Sequence, residues 1–128
     1  LVGIGIIGEL ERETDEKEFL FQLKKSFNLS IIKHTEFLCK KIRKVAVCGG
    51  AGSGYLKHAI HAGADIFISG DFKYHDYFNA ENKIVIVDIG HYESEFFTKE
   101  LFYDILTKKN TNFAVHLTDI NTNPIKYF

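Results

Sequence analysis

The chain has 128 residues, enough for one domain of ordinary size with a buried core. With 45% hydrophobic and 26% charged residues and a single proline, it falls outside the disordered, fibrous and collagen-like classes. A net charge of -1 removes any bulk electrostatic case for nucleic acid or for an acidic membrane surface.

The chain opens at Leu1 inside an apolar run and without a methionine, so we expect a piece of a longer protein, or a removed tag. The opening LVGIGIIG lacks the basic leader and cleavage site of a signal peptide. No stretch reaches the roughly 20 apolar residues of a membrane helix. Residues 2–7 read as a strand weakened by glycines. Thr14 can cap a helix, and Asp15 and Glu16 suit its positive end. Phe19, Leu20, Leu23 and Phe27 recur at helical spacing, giving one apolar face over residues 15–27. Residues 30–35 are a short strand candidate. The basic run Lys40, Lys41, Arg43, Lys44 reads as a solvated face before a firmer strand that ends at Cys48. Cys39 and Cys48 read as reduced thiols, which suits a cytoplasmic protein.

From there the rhythm is regular. A glycine loop, GGAGSG, leads to a short helix over residues 55–61 and a strand over 65–69. A helix over 75–82 leads to a strand over 84–88. The longest helix is expected over 93–108, with Phe96, Phe97, Leu101, Ile105 and Leu106 inward, and a last strand over 113–117. The tail TDINTNPIKYF has no period and is expected to pack across the domain or against a partner. Strands joined through helices predict an α/β fold. Its sheet is mainly parallel or mixed, with helices on both faces and one domain over residues 1–128.

Two strand ends carry the candidate chemistry. IVIVDIGHYESE puts Asp88, Gly90 and His91 after an apolar strand, with Glu95 four residues beyond the histidine. IFISGDFKYHD puts Asp71 and His75, also four apart, after the preceding strand. Open α/β sheets bind ligands at the carboxyl ends of their strands. Imidazole and carboxylate together suit zinc, iron or manganese-like ions. Asp88 can orient the His91 ring or bind directly. Two ligands fall short of the three usual for a catalytic zinc, so either Asp71 and His75 converge on the site or donors come from outside the chain.

The other histidines have plainer readings. His34 faces solvent on a strand, His58 and His61 are a surface pair, and His116 is structural. The CGGAGSG loop of residues 48–54 permits a tight turn with close strand–helix approach, or contact with a phosphate. It lacks the third glycine of a dinucleotide fingerprint and the Gly-Lys-Ser/Thr of a Walker loop.

Three segments resemble the C-terminal half of the NIF3 (DUF34) family, whose members often carry the name GTP cyclohydrolase 1 type 2 homolog. They are VAVCGGAGSGYLKHAIHAGADIFISGDFKYHD, IVIVDIGHYESE and the closing NPIKY. The early GIGIIGEL is similar to the family's Gly-rich strand, so the likeness covers nearly the whole chain. The resemblance implies a cleft between two α/β halves that holds two divalent metal ions, with His91 and Glu95 supplied by this half. It implies that the remaining donors, a His-His pair and an aspartate, come from an N-terminal half, and that the whole protein forms a toroidal homohexamer. No adjacent His-His pair occurs here. Asp71 stands where many members have glutamate, and His75 matches a family histidine near the cleft. Both are candidate catalytic groups, with His75 as a proton shuttle. The named family reaction is opening of the GTP ring by water, and the site also suits hydrolysis of phosphate or amide bonds. Three rival roles remain open: a non-catalytic metal-dependent regulator or scaffold, a phosphate- or nucleotide-binding module built on the glycine loop, and a half that serves mostly as a structural partner for the absent one.

Overall fold

The computed structural model describes residues 3–128. It divides into two compact units, residues 1–94 and 95–128. The start of the expected first strand, at Val2, lies outside the described residues.

The first unit is a five-stranded mixed sheet. Its strands are β1 (Ile6–Asp15), β2 (Lys33–His34), β3 (Lys41–Ala51), β4 (Ile66–Gly70) and β5 (Val85–Asp88), in the order β1-β3-β4-β5-β2. The centre is parallel, β3 with β4 and β4 with β5, while β1 and β2 close the two edges antiparallel. The central strands are apolar on both faces because both faces are covered. On one face Val45, Ile66, Ile68, Val85 and Val87 pack with Leu20 and Leu23 of α1 (Glu16–Ser26). On the other, Ala46, Cys48, Phe67 and Ile86 pack with Leu56 and Ala59 of α2 (Leu56–His61). Helices on both faces of a mixed sheet are what the strand pattern led us to expect.

The charged residues explain the β1 edge. Acids at Glu9 to Asp15 run beside the basic start of β3, with Lys41 Nζ 2.8 Å from Asp15 Oδ2 and Arg43 Nε 3.7 Å from Glu9 Oε2. Such exposed pairs set register more than they add stability. β1 therefore runs on to Asp15, through positions read from the sequence as a helix start. Glu16 is buried instead of capping: its carboxylate accepts the backbone N–H of Leu38 at 2.8 Å and of Cys39 at 3.1 Å.

Several expected elements differ. The candidate over 30–35 shrinks to the two residues of β2. The turn after β4 is a 3-10 helix over Tyr74–Ala80, not an α-helix. The long C-terminal helix breaks at residues 96–97 into α3 (His91–Glu95) and α4 (Thr98–Lys109). In the second unit α4 buries no residue, and Leu101, Phe102 and Ile105 are exposed. Residues 113–117 form no strand, since a strand needs a ladder partner and none of the described residues provides one. The tail is largely exposed. Among the described residues, no helix is long and apolar enough to cross a membrane.

Candidate functional site

β4 and β5 end side by side, with Ser69 paired to Asp88 as their last rung. The chain leaves β4 through Gly70, Asp71 and Phe72, and leaves β5 through Ile89 and Gly90 into α3. This juxtaposition puts His91 Nδ1 2.6 Å from Asp71 Oδ2, with both side chains about half exposed. The approach depends on Gly70. A Cβ there would stand 2.8 Å from the His91 nitrogen and 2.9 Å from the Gly90 carbonyl carbon. Asp71 has φ 58, a left-handed conformation that aspartate tolerates better than most residues.

Asp88 holds both turns from below the surface. It is 2% exposed. Its Oδ1 accepts the Gly90 N–H at 2.9 Å, while Oδ2 accepts the Phe72 N–H and the Tyr77 hydroxyl, each at 3.3 Å. Lys33 Nζ lies 2.7 Å from the same oxygen. The expectation that Asp88 orients the His91 ring or binds a metal is therefore corrected. Its oxygens are taken up by the two turns, Tyr77 and Lys33, and the carboxylate on the His91 ring is that of Asp71.

Burial and the Asp88 charge push the Tyr77 phenol above its ordinary pKa of 10.0. The folded state holds this proton more tightly than the unfolded state, so the stability it contributes is intact below pH 10 and declines as pH rises beyond it. Urea midpoints should fall on going above pH 10, and fall less in Tyr77→Phe. Equal alkaline losses in the two proteins would refute this role.

The glycine loop serves the same region. Gly49 to Ala51 belong to the end of β3, where the register shifts and Gly50 takes φ 64. The Gly50 carbonyl accepts the Ser69 hydroxyl at 3.0 Å, and its N–H donates to Ser94 Oγ at 2.8 Å. Ser94 in turn donates to the His91 carbonyl at 2.8 Å. Gly52 is buried, and a Cβ there would stand 2.1 Å from Ser69 Oγ. The close-approach reading of this loop thus has a direct physical cause. The Gly50 amide, which a bound anion would need, is used within the protein.

His75 is exposed on the 3-10 turn, its ring against Tyr74 and Phe78 at centroid distances of 5.2 and 6.5 Å. No hydrogen bond among the described residues joins it to Asp71 or His91. Glu95 closes α3 and is the first residue of the second unit. His58 and His61 are exposed on α2, and His34 is exposed with its ring stacked on Phe37 at 4.6 Å. His116 is exposed and lies in no strand. Among the described residues, no group of three or more His, Cys, Asp or Glu side chains is arranged to hold a metal ion. A cavity of about 670 Å³ is lined by Lys33, His34, Thr35, Tyr74, Tyr77 and Phe78 among others, but by neither Asp71 nor His91. Sequence reasoning missed Lys33, Tyr77 and Ser94. Asp88, the partner of Lys33 and Tyr77, is 55 and 11 residues away in the chain, and Gly50 is 44 from Ser94, whose near partner is the His91 carbonyl.

The sequence profile of the Duf34/NIF3 family (NGG1p interacting factor 3) matches residues 1–124. A Staphylococcus epidermidis protein named GTP cyclohydrolase 1 type 2 homolog is 37% identical over 130 residues, which cover 98% of this chain and 35% of that protein. The crystal structure of a Staphylococcus aureus protein superposes with a TM-score of 0.85 at 29% identity, covering 98% of this chain and 42% of that one. The crystal structure of a Bacillus cereus protein related to NIF3 gives a TM-score of 0.82 at 30% identity, with 98% and 36% covered. The chain thus spans about a third of the length of the curated relatives it matches. With the profile running over nearly every residue and the same sheet recurring in a NIF3-related protein, the chain belongs to the Duf34/NIF3 family.

Proposed function

We propose that this chain supplies His91 and Glu95 to a pair of divalent metal ions in a hydrolase-like protein, the remaining donors coming from elsewhere in a longer polypeptide. The observation that carries this reading is the His91 imidazole at the carboxyl end of the parallel strands, with a carboxylate on its Nδ1. Metal-ligating histidines typically donate their second ring N–H to such a carboxylate. Glu95 follows one turn later in α3, the spacing that sets two side chains on one helical face. The donor set of imidazole and carboxylate fits zinc, iron or manganese-like ions.

Bound cations would supply Lewis acidity and positive charge for oxygen developing negative charge in the reaction. The chain's own groups do the rest. His91 is held by Asp71, and His75, exposed on its 3-10 turn, is the proton carrier. A homohexameric assembly, as the family likeness implies, belongs to the longer protein.

A site with two donors should bind metal weakly. Calorimetric titration of this chain with zinc or manganese should give an affinity weaker than micromolar. The longer protein should bind tightly and lose metal in His91→Ala and in Glu95→Ala. Sub-micromolar affinity in the isolated chain would refute the shared-donor reading.

A further inference from the structure

We infer that Asp71 is a positioning residue for His91: its carboxylate accepts the hydrogen bond of Nδ1–H and so keeps the ring's lone pair on Nε2, the nitrogen that would then serve a cation. The inference deepens the metal reading above and assigns Asp71 a task other than proton transfer to substrate.

The geometry is specific. A 2.6 Å separation between Nδ1 and Oδ2 is a short, charge-assisted hydrogen bond, not a loose surface approach. The two partners are 20 residues apart in sequence, so no local turn brings them together. Three features hold the carboxylate where it is. Gly70 permits backbone approach to the His91 nitrogen that any Cβ would block. The Phe72 N–H is tied to buried Asp88, fixing the residue after Asp71. Asp71 itself is kept at φ 58, a conformation the surrounding structure must impose. On the other side, Gly90 is tied to the same Asp88 and the His91 carbonyl to Ser94. Both ends of the hydrogen bond are thus anchored through one buried acid. Such anchoring on both sides suits a group that fixes the orientation of a ring.

An imidazole has two neutral tautomers, and the hydrogen bond at one nitrogen selects which nitrogen keeps its lone pair. With Asp71 on Nδ1, Nε2 becomes the donor atom. An unrestrained ring would divide between the tautomers and offer the wrong nitrogen part of the time.

The test uses the ¹⁵N-labelled chain at about pH 9, above the ordinary imidazole range. Long-range proton–nitrogen correlation reads the His91 tautomer directly. Asp71→Gly removes the carboxylate in a residue at ease with positive φ, and Asp71→Asn keeps an accepting oxygen without the charge. The wild-type ring should carry its proton on Nδ1, Asp71→Asn should retain that tautomer, and Asp71→Gly should drift to a mixture. A wild-type ring protonated on Nε2, or an Asp71→Gly spectrum identical to wild type, overturns the proposal. Zinc is then added and the Nε2 shift followed. The half-point concentration should rise about ten- to a hundred-fold in Asp71→Gly, the usual penalty for losing such a partner. An unchanged half-point would also overturn it. A wild-type ring with the Nδ1 proton that never responds to zinc supports the orienting bond and overturns the metal reading, so the two failures are distinguishable.

Discussion

Replacing Asp88 by alanine should destabilise the fold by about 3 to 4 kcal/mol, the sum expected for losing several hydrogen bonds to one charged acceptor. The side chain is almost wholly enclosed and accepts from the Gly90 and Phe72 amides and the Tyr77 hydroxyl. Alanine leaves those donors without their acceptor. The Lys33 pair contributes less than those hydrogen bonds, because the lysine side chain is 59% exposed, although its loss takes a counter-charge from a buried carboxylate. Lys33→Ala should therefore cost about 1 to 2 kcal/mol, clearly less than Asp88→Ala. Urea denaturation of the two variants against wild type measures the contrast. If Asp88→Ala proved as mild as Lys33→Ala, the carboxylate would not be what secures the two turns.

Gly70→Ala should cost about 2 to 3 kcal/mol and disturb the site together with the fold. The new Cβ would meet backbone atoms of Gly90 and His91, not the end of a flexible side chain. Relief requires the start of α3 to move away from β4, which lengthens the Asp71–His91 contact. Gly54→Ala is the control, since a Cβ there meets nothing within 4 Å. It should be neutral to within about 0.5 kcal/mol. The measurements are the urea midpoint and the nitrogen shifts of His91. A Gly70→Ala chain with wild-type midpoint and unchanged His91 signals would refute the tight approach.

The parallel centre of the sheet was legible because its strands are continuously apolar, a pattern that only double-sided burial sustains. Residues 66–70 and 85–88 are of this kind, and their ends were legible as a site because Asp71 and His91 follow directly. The division of labour between the acids was not legible. Asp88 and Asp71 are equivalent in local sequence, each at a strand end, and only the pairing of β4 with β5 decides which one is buried under the turns. The boundary errors have a similar origin. Thr14 and Asp15 read as a helix start, and both instead pair with Ile42 and Lys41 of β3 as the end of β1. Phe96 and Phe97 fit a helical face by spacing, yet the helix breaks at them. The apolar run over 113–117 signals a strand that finds no neighbour among the described residues.

The hydroxyl of Ser94 joins Gly50 to the start of α3 across 44 positions of the chain. Such a tie closes late, after the loops between have paid their entropy. The imidazole is thus assembled by the completed sheet and not by its own helical turn. A short peptide containing both histidine and aspartate would possess the ingredients and lack the arrangement, and chemistry at this spot should vanish at the first cooperative loosening of β3 from its neighbours.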